Sequence, residues 1–325
     1  MIISRTPLRV SFCGGGTDID DFSMSEPKGG RVVSAALSRY VYVTINRRFD
    51  DRLRVSYSTM EDVDSLDKIQ HDLIREALRL TGIDSGIEIT TIADIPGQGT
   101  GLGSSSTVTV GLLNAMHAFQ GRKVSKEQLA EEACQIEIDT LGAPIGRQDQ
   151  YAASFGGVNS IRFGENGVKV EPIEVSEGLA KKFSENFTLV FTGLTRSASK
   201  VLSEESDDRS DKIRRMREIR NHADEAASYI EQENLDSLGA ILNKTWLSKR
   251  EVSSIVTNKQ IDDLYERAIS SGAIGAKLLG AGNGGFLLVC GNRHLRGILQ
   301  RDLGESHRMF PLEIDFSGSK IIYGP

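Results

Sequence analysis

The stretch Ile95–Met116, IPGQGTGLGSSSTVTVGLLNAM, decides how the rest of the chain is read. Five glycines fall between Gly97 and Gly111, the serines Ser104 to Ser106 follow Gly103 directly, and good helix and core formers run on from Val108. Glycine lets a backbone turn through positive φ and approach a ligand closely. A loop of that kind opening a helix presents free N–H groups and the positive end of the helix dipole, which together hold phosphate. The plainer alternative is a flexible loop capped by serine. Pro96, Gly101-Leu102-Gly103 and Ser104-Ser105 stand in register between a strand-like and a helix-like run, which favours the phosphate loop. Its candidate contacts are Pro96, Gly97, Gly99, Gly101, Leu102, Gly103, Ser104, Ser105 and Ser106. No Gly-Lys-[Ser/Thr] occurs in it, so it is not a Walker loop.

The composition narrows what such a loop could serve. At 325 residues the chain has room for two ordinary domains. With 39% apolar and 26% charged residues it has the balance of a soluble globular protein. A net charge of −6 with few aromatics argues against a nucleic-acid partner. The start reads as no signal peptide and no apolar run reaches membrane-span length, so the expectation is a cytoplasmic chain with no membrane partner. Cys13, Cys134 and Cys290 are far apart and set among apolar or small residues, as inert buried thiols in a reducing compartment would be. The five histidines lack ligand spacing, which argues against a His/Cys metal centre.

Periodicity supplies the frame. Residues 2 to 12 alternate as a strand, ended by Gly14-Gly15-Gly16. Val41, Val43 and Ile45 alternate with polar neighbours as a second strand, for which Arg52–Tyr57 is the expected partner. Leu66 to Leu80 keeps helical spacing, and Ile87, Ile89 and Ile92 form a strand running into the glycine loop. Ser125-x-x-Gln128 is a capping box, after which Ala130, Ala133, Glu137 and Leu141 share one helix face. A carboxylate on that stripe is either solvated at its edge or compensated by a cation, because an unpaired buried charge is costly. Arg147-Gln148-Asp149-Gln150 reads as the polar tip of a loop, and strands follow at Val158–Phe163, Val168–Ile173 and Phe187–Thr192. Composition turns polar near Gly178–Glu185, a natural domain boundary. Thr195–Ser199 reads as a helix cap and Ser206–Asn234 as a charged helix with a solvated face. Arg196, Lys249 and Arg250 are either surface cations or contacts for a substrate phosphate. Ala276–Cys290 reads as a hairpin about a glycine turn.

The spacing Pro96-x-x-x-Thr100-Gly101-Leu102-Gly103-Ser104-Ser105 resembles the phosphate loop of the GHMP small-molecule kinases, the family of galactokinase, homoserine kinase and mevalonate kinase. Two further stretches resemble that family's other motifs, in the family's order. PLRVSFCGGGTD, Pro7 to Asp18, is similar to the first, and KLLGAGNGGFLL, Lys277 to Leu288, to the third. The resemblance puts Arg9 at the family's basic position, Gly15, Gly16 and Thr17 in a sugar-reading turn, and Asp18 at the place of an Asp that binds sugar hydroxyls. Gly15-Gly16 stands where Glu-His is usual, which removes two polar side chains and argues against galactose. By the same resemblance Glu137 joins Ser105 on Mg²⁺, Asp149 is the base toward the acceptor hydroxyl, and ATP is the phosphoryl donor. Gln148, Arg196 and Gly282 complete the expected substrate contacts.

The implied fold is α+β, a two-domain GHMP kinase with a ribosomal protein S5 domain 2-like N-terminal domain over 1–182 and a ferredoxin-like α/β C-terminal domain over 183–325. Together with IEIDTLGAPIGRQDQYAASFGG from Ile136 and FTGLTRSAS from Phe191, these stretches resemble the sugar-1-kinases that act on D-glycero-D-manno-heptose 7-phosphate. Fucokinase domains share the Gln148-Asp149-Gln150 pattern. The implied activity is ATP-dependent phosphorylation of an anomeric hydroxyl, the partners being a sugar phosphate and ATP, with a homodimer left open. A sugar sensor that keeps the pocket without turnover is the alternative from another class.

Overall fold

A computed structural model describes residues 1–95, 99–195, 209–252, 254–304 and 307–324. In chain order the elements are β1 (Ile2–Cys13), α1 (Asp20–Ser23), β2 (Gly30–Arg47), β3 (Leu53–Ser56), β4 (Met60–Val63), α2 (Asp72–Thr81), β5 (Ile87–Ala93), α3 (Ser104–Phe119), α4 (Lys126–Cys134), α5 (Gln148–Phe155), β6 (Val158–Gly164) and β7 (Gly167–Ile173). The second half continues with α6 (Glu177–Asn186), β8 (Phe187–Phe191), α7 (Arg209–Glu231), α8 (Leu235–Val252), α9 (Lys259–Ser270), β9 (Gly275–Leu278), β10 (Phe286–Cys290), α10 (Leu295–Leu303), β11 (Met309–Pro311) and β12 (Lys320–Tyr323).

Two sheets organise these elements, an α+β arrangement of two domains. The larger runs β12-β1-β2-β5-β3-β4, with β6 also on β2 and β7 on β6. Its spine is β2, whose first half pairs β6 and whose second half pairs β5, while β1 lies antiparallel along both. β1 alternates over its first residues and is buried throughout from Thr6, where α3 and α7 pack against it. The smaller sheet, β11-β8-β10-β9, is antiparallel. The C-terminal β12 returns to pair with β1, so the chain's last strand closes its first sheet.

Three expectations need correction. The segment around Arg52–Tyr57 is not the neighbour of Val41–Ile45; β5 takes that seat, and β3 lies parallel to β5 on its far side. Parallel neighbours require a crossover, which α2 provides between β4 and β5. The helix expected from Leu66 is only a 3₁₀ turn at Leu66–Lys68, and α2 starts at Asp72. The carboxylate of Glu61 accepts the Gln70 and His71 N–H groups at 2.6 and 3.2 Å, holding the chain extended between turn and helix. The polar tip Arg147–Gln150 is not a loop, because α5 begins at Gln148.

A shared core joins the halves. Phe12 of β1 packs tilted on Phe183 of α6 and edge-on to Phe187 of β8, the three ring centroids 5.6–5.7 Å apart. The polar stretch Gly178–Glu185 lies in α6, whose Leu179 and Phe183 are buried. The three cysteines are free and buried. Among the described residues no helix is long and apolar enough to cross a membrane.

Candidate active site

The glycine loop does its work through backbone shape. Gly99, Gly101 and Gly103 all hold left-handed φ values near 70–74°, and Gly103 is the N-cap of α3. The first turn of α3, Ser104 to Ser106, therefore presents amides that have no intrahelical acceptor. Against this loop lies the glycine turn of the β9–β10 hairpin. A Cβ on Gly280 would stand 2.5 Å from the Gly101 Cα, and one on Gly101 would strike the Leu279 carbonyl oxygen, so both positions must be bare for the two backbones to meet.

In front of the loop is a cavity of about 680 Å³. Of the sequence-expected residues it brings together Arg9, Gly15, Gly16, Asp18, Gly99, Gly101, Gly103, Ser104, Ser105, Ser106, Glu137, Gln148, Asp149 and Gly282. Thr17 and Leu102 stand behind the wall. The Thr17 hydroxyl donates to the Gly14 and Arg31 carbonyls, and Leu102 is in the core with its carbonyl accepting the Arg9 N–H. Pro96, Gly97, Arg196 and the helix cap expected at 195–199, beyond Thr195, lie outside the described residues.

At the cavity floor Arg9, 4% exposed, makes a two-pronged ion pair with Asp149. Nε and Nη2 donate to the two carboxylate oxygens at 2.7 Å each, and Nη1 donates to the Gly101 carbonyl at 2.5 Å. One guanidinium thus ties β1, the glycine loop and α5 together. A Cβ on Gly103 would lie 3.1 Å from Asp149 Oδ2, so the carboxylate sits at the mouth of α3. Asp18 accepts the Gln148 N–H and side-chain amide at 3.0 and 2.9 Å and the Gly16 N–H at 2.9 Å. Burial pushes its carboxyl up from the ordinary range, the Gln148 N–H pulling the other way.

Glu137 resolves the ambiguity of its stripe: it is 2% exposed and faces inward. Ser105 Oγ donates to Oε1 at 2.9 Å, Ser106 Oγ to Oε2 at 2.7 Å, and Thr109 and Gln150 donate as well. Burial raises its pKa in spite of the serine hydroxyls. It is delivered by a π-helical turn, Gln135–Thr140, that continues α4. Such turns widen a helix and re-aim its side chains. The residues fit a divalent cation. Ser105 Oγ and Glu137 Oε1, now hydrogen-bonded at 2.9 Å, are hard oxygens of the kind that would hold such an ion.

Sequence reasoning missed two lining or supporting groups and left a third open. Gln150 is fully buried against Glu137, although its place beside Asp149 was a usable signal. Lys277 of β9 lines the cavity, its Nζ donating to the Ser11 and Phe12 carbonyls at 2.5 and 3.0 Å. Lys249 of α8 also lines it, donating to the Gly280 carbonyl at 2.5 Å, whereas Arg250 pairs with Asp262 at 2.9 Å. Desolvation pushes Lys249 down to about 8 and Lys277 to about 7, the neighbouring cations Arg9 and Lys249 adding to the respective shifts.

A bare-backbone loop at a helix mouth, an ion-paired carboxylate beside it and a buried Glu–Ser pair are the groups that phosphoryl transfer calls for. Residues 69–157 match the GHMP kinases N terminal domain and residues 226–306 the GHMP kinases C terminal domain. A D-glycero-alpha-D-manno-heptose 7-phosphate kinase of Campylobacter jejuni is 31% identical over 88% of this chain and 88% of its own length. An L-fucokinase/L-fucose-1-P guanylyltransferase of Bacteroides fragilis is 27% identical over 89% of this chain, which spans 34% of that longer protein. The crystal structure of a D-glycero-D-manno-heptose 1-phosphate kinase from Bacteroides thetaiotaomicron superposes with a TM-score of 0.82 at 24% identity, covering 100% of both chains. The chain belongs to the GHMP kinases, and is an ATP-dependent phosphotransferase of the sugar-kinase type.

Proposed function

We propose that the acceptor is D-glycero-D-manno-heptose 7-phosphate and that its anomeric hydroxyl receives the γ-phosphoryl group of ATP. The observation that carries the reaction is the Arg9–Asp149 pair at 2.7 Å beside the N-terminus of α3. In this reading the amides of Gly101 to Ser106 hold the terminal phosphates, and Asp149 takes the hydroxyl proton as the new oxygen–phosphorus bond forms. The bond to the β-phosphate oxygen breaks and its electron pair leaves with ADP. Arg9 fixes the carboxylate's direction through two hydrogen bonds, so the base is aimed before the acceptor arrives. Ser105 and Glu137 would hold Mg²⁺, which when bound supplies charge neutralisation at the phosphates.

The choice of a heptose phosphate rests on the Campylobacter relative and on the acceptor corner. There Gly15 and Gly16 offer no side chains, and Met216 of α7 closes the wall 3.2 Å from where a Gly16 Cβ would be. Reduced, buried cysteines fit the cytoplasmic setting we propose. The test is ADP release with Mg²⁺ and ATP over heptose 7-phosphate, free heptose, fucose and galactose. Heptose 7-phosphate is expected to give the highest kcat/KM. Faster turnover of fucose would move the assignment to the fucokinases, and ADP release with no sugar dependence would overturn it.

A further inference from the structure

We infer that Lys249 supplies a second cation, opposite Arg9, to the phosphoryl group as it passes from nucleotide to acceptor, with Lys277 positioning the floor beneath it. This deepens the kinase reading and rests on it.

No ion pair closes on these two lysines among the described residues. Each carboxylate that lines it already has donors: Asp149 has Arg9, Asp18 has Gly16 and Gln148, and Glu137 has three hydroxyls and Gln150. Among the described residues, Lys249 and Lys277 donate only to carbonyl oxygens, and Asp18 acts on Lys249 through space without forming an ion pair. An ammonium withdrawn from water without a counter-anion is costly, and two in one cavity are more so. A site that keeps them gains when an anion arrives, which is the usual logic of charged groups held out of solvent at functional clefts.

Geometry says which anion. Lys249 Nζ bonds the Gly280 carbonyl, and Gly280 is the residue whose backbone lies against Gly101. Gly101 in turn gives its carbonyl to Arg9 Nη1. Arg9 from β1 and Lys249 from α8 therefore grip one loop-on-turn contact from the two halves of the chain, with Asp149 on Arg9. The Asp18 corner, where Gly15 lies against Ser11 and Gln148, is held by other groups. The Gly280 bond sets the Lys249 ammonium on the phosphate-loop side, the Asp18 charge also reaches it, and the test below separates the group being transferred from the acceptor's own phosphate. Lys277 stays on the carbonyls of Ser11 and Phe12, and Ser11 shares the strand face of Arg9 two residues on.

The test compares wild type, Lys249→Met and Lys249→Ala, reading kcat and KM with heptose 7-phosphate and free heptose, the Kd of ATP, and rescue by ethylammonium. Losing one preorganised electrostatic partner of a transition state should lower kcat by about 10²-fold. We expect that loss with both acceptors alike, an ATP Kd that moves by less than about threefold, and a partial return of Lys249→Ala turnover on adding the amine. The methionine variant, its space filled, should not be rescued. A rise in KM confined to the phosphorylated acceptor, with kcat kept, would overturn the inference in favour of an acceptor-phosphate contact. Unchanged kinetics, or a loss that ethylammonium does not relieve in Lys249→Ala, would reduce Lys249 to a structural bond on Gly280. Absence of sugar-dependent ADP release by the wild type would instead sink the kinase reading, a separate result.

Discussion

In the proposed reaction the chemistry turns on Arg9 and Asp149, and the Arg9 charge bears on Lys249 and Lys277. Replacing Asp149 by Asn keeps the shape but removes both the proton acceptor and Arg9's counter-charge. General-base loss lowers turnover by roughly 10²–10⁴-fold. The unbalanced guanidinium should leave ATP affinity unchanged or slightly tighter, because more positive charge then faces the phosphates. Single-turnover rates and a nucleotide titration on Asp149→Asn separate the two effects; near-normal turnover would reject Asp149 as base. At this scale a residue's place in the cavity was legible where it sits inside a contiguous motif, as Arg9, Ser105, Glu137 and Asp149 do. Lys277 was not legible, since its role comes from bonding carbonyls 265 and 266 positions away. Thr17 sits within a motif yet its hydroxyl serves the turn, which only the backbone acceptors reveal.

In the proposed complex the pair of glycine turns, not the loop alone, would set nucleotide geometry. Gly280 has φ 72° and its missing Cβ would sit on the Gly101 backbone, so Gly280→Ala must push the hairpin off the loop. The expected outcome is a loss of ATP affinity of at least about tenfold, 1.4 kcal/mol, in a protein that still folds. Isothermal titration on the purified variant checks this, and wild-type affinity would show that the contact is not needed. Gly103→Val acts differently from a simple phosphate block. At φ 74° its Cβ would meet Asp149 Oδ2 and Arg9 Cγ at 3.1 and 3.2 Å, so kcat should fall along with nucleotide binding. Strand, loop and hairpin were readable because glycine spacing and alternation are local signals. The π-helical turn that aims Glu137 was not, since nothing in QIEIDT distinguishes it from ordinary helix and the fit to Ser105 and Ser106 comes from packing against α3. The seat of β5 between β2 and β3 was hidden for a related reason, because strand order depends on where a crossover helix lands.

At the scale of the whole molecule the proposed active-site cavity is lined from both halves, so its stability should be theirs jointly. We keep 1–182 and 183–325 as the proposed division, with β12 handed back to the first sheet. Phe183 is fully buried between Phe12 and Phe187, one ring from each sheet. Truncating it to alanine removes contacts on both sides, and a fully buried Phe→Ala costs about 3–5 kcal/mol. Trp246, the only tryptophan, is buried in the cluster formed by α8, α9, α10 and the smaller sheet, so its fluorescence reports the second half alone. Far-UV circular dichroism reports helices of both. In urea the two signals should fall together in the wild type, and Phe183→Ala should lower both midpoints equally, because the shared core lets neither half unfold first. A circular dichroism transition that precedes the tryptophan change would mean that the larger sheet melts independently. The aromatic trio would then be a contact between separate bodies, and the grip of Arg9 and Lys249 on one turn would have to survive motion between them.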